Sequence, residues 1–352
     1  MIGARSPYYL EIPWNRPSDN AKADSFTLNL FIWVGNNDGD IPNSPQYLQT
    51  IYNVEDSTGS VKVDIANLIS DFIPTQVITS VETELLDGLN TVWVRRNVEY
   101  NVNGDITTEL QVTDASTNGY GYGNEGENFQ TTKQILSDAF ELDAYKNGVV
   151  QVPIVRDFFG GVVKLKVNTL PSETTIFQEE VESSQESTEI VSVLNINCKE
   201  AEVTGDDCIE VEYGSDTYTI FLRDELKKTP IDVSFLNRYG HLQTMTFFKE
   251  RRDSLEVSTE TYLNRFAQPN TGSHQNTSFN KNGQTSFSIE SGFVGESENE
   301  ILTQMLLSEY VWIGTNPVDV TTTSVQYKTQ NNDKLVNYNL EFKDSYTKIN
   351  SI

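Results

Sequence analysis

The sequence predicts a mainly β protein, with antiparallel sandwich-like or barrel-like domains and a few short helices. Three observations carry this expectation. Runs of six to ten residues alternate apolar and polar side chains along most of the chain. Those runs are rich in β-branched and aromatic residues and end near Gly, Asn or Asp. Segments of helical period are few and do not alternate with strands as βαβ units require.

Taken in order, SFTLNLFIWVG (Ser25 to Gly35), SVKVDI (Ser60 to Ile65) and TVWVRRNVEYNV (Thr91 to Val102) read as half-buried strands. NVNGDITTELQV then sets Asn103-Gly104 between two alternating runs, a dipeptide that supplies the positive φ angles of a two-residue hairpin turn. VVQVPI, GVVKLKVNTL, EIVSVLNINC, CIEVEYGSDTYTIFL, PIDVSFL and HLQTMTFF continue the pattern, and KLVNYNLEF closes it. Three stretches read as helix: Ala66 to Ile73, Thr131 to Phe140, and Ser297 to Tyr310. In the last, Ser297 is the expected N-cap with Glu300 three residues on, and Ile301, Leu302, Met305 and Leu306 form one apolar face.

Between Phe177 and Ile190, QEEVESSQESTE holds five glutamates, four Ser or Thr and one apolar residue. Such a segment cannot build a core, and it reads as an exposed loop or linker over 179–189. It divides a β-rich domain at 1–178 from a second at 190–352 that carries the helix near 297–308. An acidic hairpin loop inside a single domain is the other reading of the same residues.

The 352 residues carry 25 Lys plus Arg against 51 Asp plus Glu, for a net charge of -26 spread along the chain. That surface repels nucleic-acid backbones and anionic lipid, though it suits a wall past which DNA must slide. Two cysteines and two histidines supply neither a disulfide framework nor a zinc set. The N-terminal MIGARSPYYLEIPW lacks the apolar core of a secretory signal, and no segment approaches about eighteen apolar residues, so synthesis and solubility in the cytoplasm are expected.

A literal G-x-G-x-x-G lies at Gly121, Gly123 and Gly126 in GYGYGNEGENF. Its context is wrong for a dinucleotide: a hairpin arm precedes it, and Glu125 and Glu127 flank the last glycine where a phosphate would sit. The expectation is an extended loop, 119–129, whose glycines permit tight bends while Tyr120 and Tyr122 offer contact faces. NNDGD (Asn36 to Asp40) has oxygen ligands beside a glycine but lacks the spacing of a calcium loop, and reads as a tight connection. Asp206-Asp207 reads as a turn, and Glu296, Glu298 and Glu300 as acids placed at a helix start by its dipole. His241 and His274 read as turn or surface residues without a nucleophile motif. Cys198 and Cys208 read as packed free thiols, and KERR (Lys249 to Arg252) as a basic cluster paired with acidic neighbours. No cofactor, metal or catalytic set is expected.

Six phrases in order, ARSPYYLEI, GYGYGNEGENF, FLNRYGHLQTMTFF, QTSFSIESGF, ENEILTQMLLSEYVWI and YKTQNNDKLVNYNLEF, resemble the tail-ring (tail barrel) proteins of crAss-like short-tailed phages of Bacteroidetes. The resemblance implies a β-rich, non-enzymatic virion protein that forms symmetric rings beneath the portal, expected twelvefold, around the channel through which the genome leaves. It implies contacts with further copies and with neighbouring ring, portal or tail-hub proteins, no specific grip on nucleic acid and no membrane insertion. Residue types enriched at such contacts are aromatic and Arg, which nominates Tyr8, Tyr9, Trp14, Tyr120, Tyr122, Phe129, Arg251 and Arg252 as interface candidates. Two other readings of the residues stay open. One is a β-sandwich binding carbohydrate or a host surface, for which Trp14, Trp33, Trp93 and Trp312 are the candidate platforms; the other is a polymer-degrading tail enzyme using paired carboxylates.

Overall fold

The computed structural model describes the chain except residues 35–39, 54–58, 88, 130–132, 157–161, 183–190, 203–205, 264–273, 275, 327–334 and 351–352. The chain is mainly β, with several antiparallel sheets, a curled half-barrel and three short helices among the described residues. The first sheet runs Ile2–Gly3, Asp105–Thr117, Thr91–Val102, Ser25–Trp33, Tyr47–Tyr52 in spatial order. Its central hairpin turns where the sequence places it: Asn103 has φ 51° and Gly104 φ 87°. Phe26, Leu28, Leu30 and Ile32 face inward with Val94 and Tyr100, and alternation puts their neighbours on the other face. The inward face is covered by the two-stranded sheet Tyr9–Pro13/Ser60–Asp64 and by the helix Ala66–Ser70, which contributes Ile69.

The rest of the chain builds a larger core. A three-stranded sheet (Val149–Val155, Val191–Asn197, Glu84–Asp87), a five-stranded sheet (Thr174–Glu182, Val162–Leu170, Cys208–Tyr213, Asp216–Arg223, Glu141–Tyr145) and an eight-stranded sheet ending in Asn276–Gly295 and Arg251–Leu263 share one buried cluster. Strands on the two sides of the acidic segment pair directly, Val162–Leu170 with Cys208–Tyr213, and Leu165, Val181, Leu194 and Ile209 lie in that cluster. The acidic segment itself starts as strand, not loop. Gln178 and Glu180 pair with Lys166 and Lys164 across Thr174–Glu182, and Val181 is buried, so charge pairing and one apolar anchor extend the strand to Glu182. Residues 183–189 lie outside the described residues, as do 36–39 of the NNDGD stretch.

Two helix expectations need correction. Lys133–Phe140 is irregular: Ile135 bridges Ile154, and Leu136 N–H donates to the Pro153 carbonyl at 2.8 Å. Ile135, Leu136, Gln134, Ser137 and Ala139 are all buried, and burial on every side favours a strand-like course over a one-faced helix. The C-terminal helix spans Asn299–Leu307 and buries Ile301, Leu302 and Met305 as expected, but Ser297 does not cap it. Ser297 lies inside a 3-10 turn, Glu296–Glu298, because the Glu298 side chain turns into the core and delays the helix.

That inward carboxyl is a buried acid pair. Asp143 N–H donates to Glu298 Oε1 at 2.8 Å, and Arg223 holds the Asp143 carboxylate at 2.5 Å. Burial first, then the Asp143 charge, raises the Glu298 carboxyl well above its ordinary range, and burial raises Asp143 as well. A carboxyl with a raised folded pKa contributes stability that is complete at low pH and is lost as pH rises through the raised value. Glu298→Gln keeps the acceptor for Asp143 and removes the ionisation. Urea unfolding should therefore show the variant gaining on the order of 1 kcal/mol or more over the wild type on the alkaline side, with no gain in acid.

Candidate functional site

The glycine–tyrosine loop is held against the chain's own second half. Tyr120 N–H donates to the Arg238 carbonyl at 2.7 Å, Thr117 Oγ1–H to the Tyr239 carbonyl at 2.7 Å, and Arg5 N–H to the Gly119 carbonyl at 3.0 Å. Three backbones are thus stacked with no room for side chains between them. A Cβ on Gly3 would meet the Gly119 oxygen at 2.9 Å, one on Gly119 the Arg238 oxygen at 2.9 Å, and one on Gly240 the Asn118 nitrogen at 2.6 Å. Close backbone approach, more than bending alone, is what requires Gly119 and Gly240.

Over this stack sits Arg238, only 6% exposed. Its guanidinium lies 4.6 Å from the Tyr122 ring centre, 4.7 Å from Phe129 and 5.3 Å from Tyr239, while Glu125 pairs with it at 2.6 Å and Asp138 at 3.5 Å. A planar cation offers aromatic rings its faces and carboxylates its edge, which is why Arg and not Lys suits the position. Burial pushes Asp138 up, but hydrogen bonds from Lys133 and Tyr239 and the charges of Lys133 and Arg238 outweigh it and hold the carboxyl low. The helix Asn299–Leu307 closes the group. Tyr122 O–H donates to Glu300 at 2.6 Å, Gln304 Nε2 donates to Asp138 at 2.8 Å, and Arg238 N–H donates to Gln304 Oε1 at 3.2 Å. Burial, followed by that hydrogen bond to Glu300, raises the Tyr122 phenol. From the N-terminal arm, Arg5 stacks on Tyr120 at 4.8 Å and pairs with Glu309 at 3.0 Å. Asn128 holds the Tyr9 backbone at both N–H (2.6 Å) and carbonyl (2.9 Å).

These placements revise the interface candidates. Trp14 is 5% exposed and packs 5.1 Å from Phe26; Tyr120 is 9% exposed. Neither offers a free face, because core packing takes the first and Arg5 with the backbone stack takes the second. Tyr8, Tyr9, Tyr122 and Phe129 are half-buried, the last two enclosing Arg238. Arg251 and Arg252 are exposed, with Arg251 4.0 Å over Phe287 and 2.7 Å from Asp253, and Arg252 3.9 Å from Glu250. Tyr120→Ala is accordingly expected to lower the stability of the single chain by about 3 kcal/mol, read by thermal or urea unfolding, instead of sparing the fold.

Other sequence candidates resolve individually. His241 is a turn residue as expected but fully buried, and burial lowers its pKa to about 3. His274 is exposed. Cys198 is buried and Cys208 partly so; both thiols are free, and burial pushes both up, away from reactivity. Asp206 accepts from Ser172 N–H at 3.2 Å. No group of three or more His, Cys, Asp or Glu among the described residues is arranged to hold a metal, and no described helix is long and apolar enough to cross a membrane. Arg238 itself was not distinguishable in the sequence, since all of its ring and carboxylate partners except the adjacent Tyr239 come from a segment about a hundred positions away.

The site thus defined is a clasp between distant segments of a mainly β chain. Comparison with models of known protein families and with characterised proteins finds no match.

Proposed function

We propose that the chain is a non-enzymatic structural subunit of a phage tail, one copy of an oligomeric ring below the portal that forms the tail barrel and genome-exit channel. One observation carries the reading. Four of the six phrases behind the resemblance, ARSPYYLEI, GYGYGNEGENF, FLNRYGHLQTMTFF and ENEILTQMLLSEYVWI, meet in the Arg238 clasp through Arg5, Tyr122, Arg238 and Gln304. Segments that share a single packed junction are the ones a family with this fold has reason to keep together. The net charge of -26 supports a conduit wall that does not bind DNA. On this reading the protein is synthesised in the host cytoplasm and resides in the virion. Its partners are further copies of itself, expected twelvefold, and adjacent ring, portal or hub proteins.

The carbohydrate-binding alternative gains no supporting observation: Trp14, Trp33, Trp93 and Trp312 are 5%, 7%, 5% and 8% exposed, whereas a sugar platform needs an open aromatic face. Native mass spectrometry of the purified protein, and of complexes from gently disrupted particles, tests the proposal. Closed multimers of this chain are expected. A monomer in every preparation, with saturable glycan binding on an array, would replace it with the binding-module reading.

A further inference from the structure

The helix Asn299–Leu307 starts on a buried acid. Glu298 is 1% exposed; its Oε1 accepts from Asp143 N–H, and its Oε2 has no hydrogen-bond partner among the described residues. The nearby cation is already engaged, since Arg223 holds Asp143 at 2.5 Å and donates to the Phe293 carbonyl at 2.6 Å. The strand Glu141–Tyr145 brings Asp143 to the acid, with the charge of Glu141 beside it, and the strand Asp216–Arg223 brings Arg223 and the buried phenol of Tyr218. The turn itself carries Glu296, and the helix carries Glu300. Among these groups acids outnumber Arg223, so a proton on Glu298 is the arrangement that avoids two adjacent buried carboxylates.

The same turn leads into the clasp. Just beyond Glu298, Glu300 accepts from Tyr122 O–H at 2.6 Å; one helical turn further, Gln304 donates to Asp138 at 2.8 Å and accepts from Arg238 N–H at 3.2 Å. Asn299, next to the acid, accepts from Tyr338 O–H. Glu298 cannot leave its seat without moving the first turn of the helix, and with it the bonds that join the helix to Tyr122, Asp138 and Arg238. We propose that this acid is a proton lock: the closed clasp holds one proton, on Glu298, that the opened clasp gives up to solvent. Burial and then the Asp143 charge keep the closed carboxyl well above its ordinary range, whereas an opened, solvated one titrates within that range. The lock is therefore complete in acid. As pH rises from the ordinary carboxylate range toward the raised value, closing must take up a proton, and the opened fraction grows by about tenfold per pH unit. Above the raised value both forms are ionised and the dependence levels off. The device acts within one chain and does not depend on the ring reading.

Amide hydrogen exchange read by mass spectrometry tests the lock on wild type, Glu298→Gln and Asp143→Asn, from mildly acidic to mildly alkaline pH, with each rate corrected for the intrinsic effect of pH. Circular dichroism at the acid end is the fold control. In wild type, amides of residues 119–129 and 237–241 should exchange about tenfold or more faster than those of the strand Thr91–Val102, the mark of a local opening. Their protection should fall by about tenfold per pH unit up to the raised value. Glu298→Gln leaves Glu125, Asp138 and Glu300 in place but has no proton to lose, so its clasp protection should not change with pH. Asp143→Asn keeps the N–H bonded to Glu298 and removes the neighbouring charge, so the levelling-off should move to lower pH. Clasp protection that is independent of pH in wild type, that falls equally in Glu298→Gln, or that keeps the wild-type profile in Asp143→Asn would overturn the lock. So would clasp amides that exchange no faster than the first sheet, because the proton would then serve the whole fold and not the clasp.

Discussion

Replacing Arg238 by alanine should destabilise the chain by about 3–5 kcal/mol, the cost of removing one partner from a buried ion pair. The loss has two sources. Glu125 and Asp138 keep their charges with the cation gone, and Asp138 is largely enclosed by Tyr239, Gln304 and Lys133. The rings of Tyr122, Phe129 and Tyr239 lose the flat surface between them. Arg238→Lys separates the two effects: it restores charge but not the planar stacking, and should recover part of the loss while staying about 1–2 kcal/mol below wild type. Urea unfolding of the two variants reads the difference. Equal stability of Arg238→Ala and wild type would mean that the clasp does not hold the halves together.

Gly240→Ala should be as damaging, by a different route. Gly240 has φ +80°, and a Cβ there would stand 2.6 Å from the Asn118 nitrogen and 2.7 Å from the Gly119 nitrogen, both backbone atoms that cannot swing aside. Left-handed strain alone costs about 1–2 kcal/mol, and the overlap must add to it by parting the stacked backbones. Gly126 is the internal control. Its φ is +82° with ψ -162°, a region essentially reserved to glycine, but nothing lies within 4 Å, so Gly126→Ala should show backbone strain without the overlap. Gly119→Ala gives the converse, overlap with the Arg238 carbonyl without a left-handed backbone penalty. If Gly240→Ala and Gly126→Ala shift the unfolding midpoint equally, close approach is not what this glycine serves.

What could be read from sequence was local. The Asn103-Gly104 hairpin is specified by two adjacent residues and by alternation on each side, and the Ile301/Met305 face by a single helical period. The glycine–tyrosine loop was legible as a loop and as no phosphate site, but Gly119 looked like a bend, because the backbone that excludes its Cβ comes from Arg238 and Tyr239. Tyr122 reaches Glu300 across 178 positions and Asp143 reaches Glu298 across 155, so no spacing rule could connect them. Glu298 looked like a dipole-favoured acid at a helix start; only its fold partners turn it inward. Lys133–Phe140 misled because its composition fits two turns of helix while every side of it is buried.

Averaged electron microscopy images of the purified wild-type protein, taken under conditions that promote assembly, test the central claim most directly. Closed rings of uniform copy number, with density bridging each subunit to the next, are the expected result. A field of single particles no larger than one 39.7 kDa chain, or of open chains that never close, would contradict it.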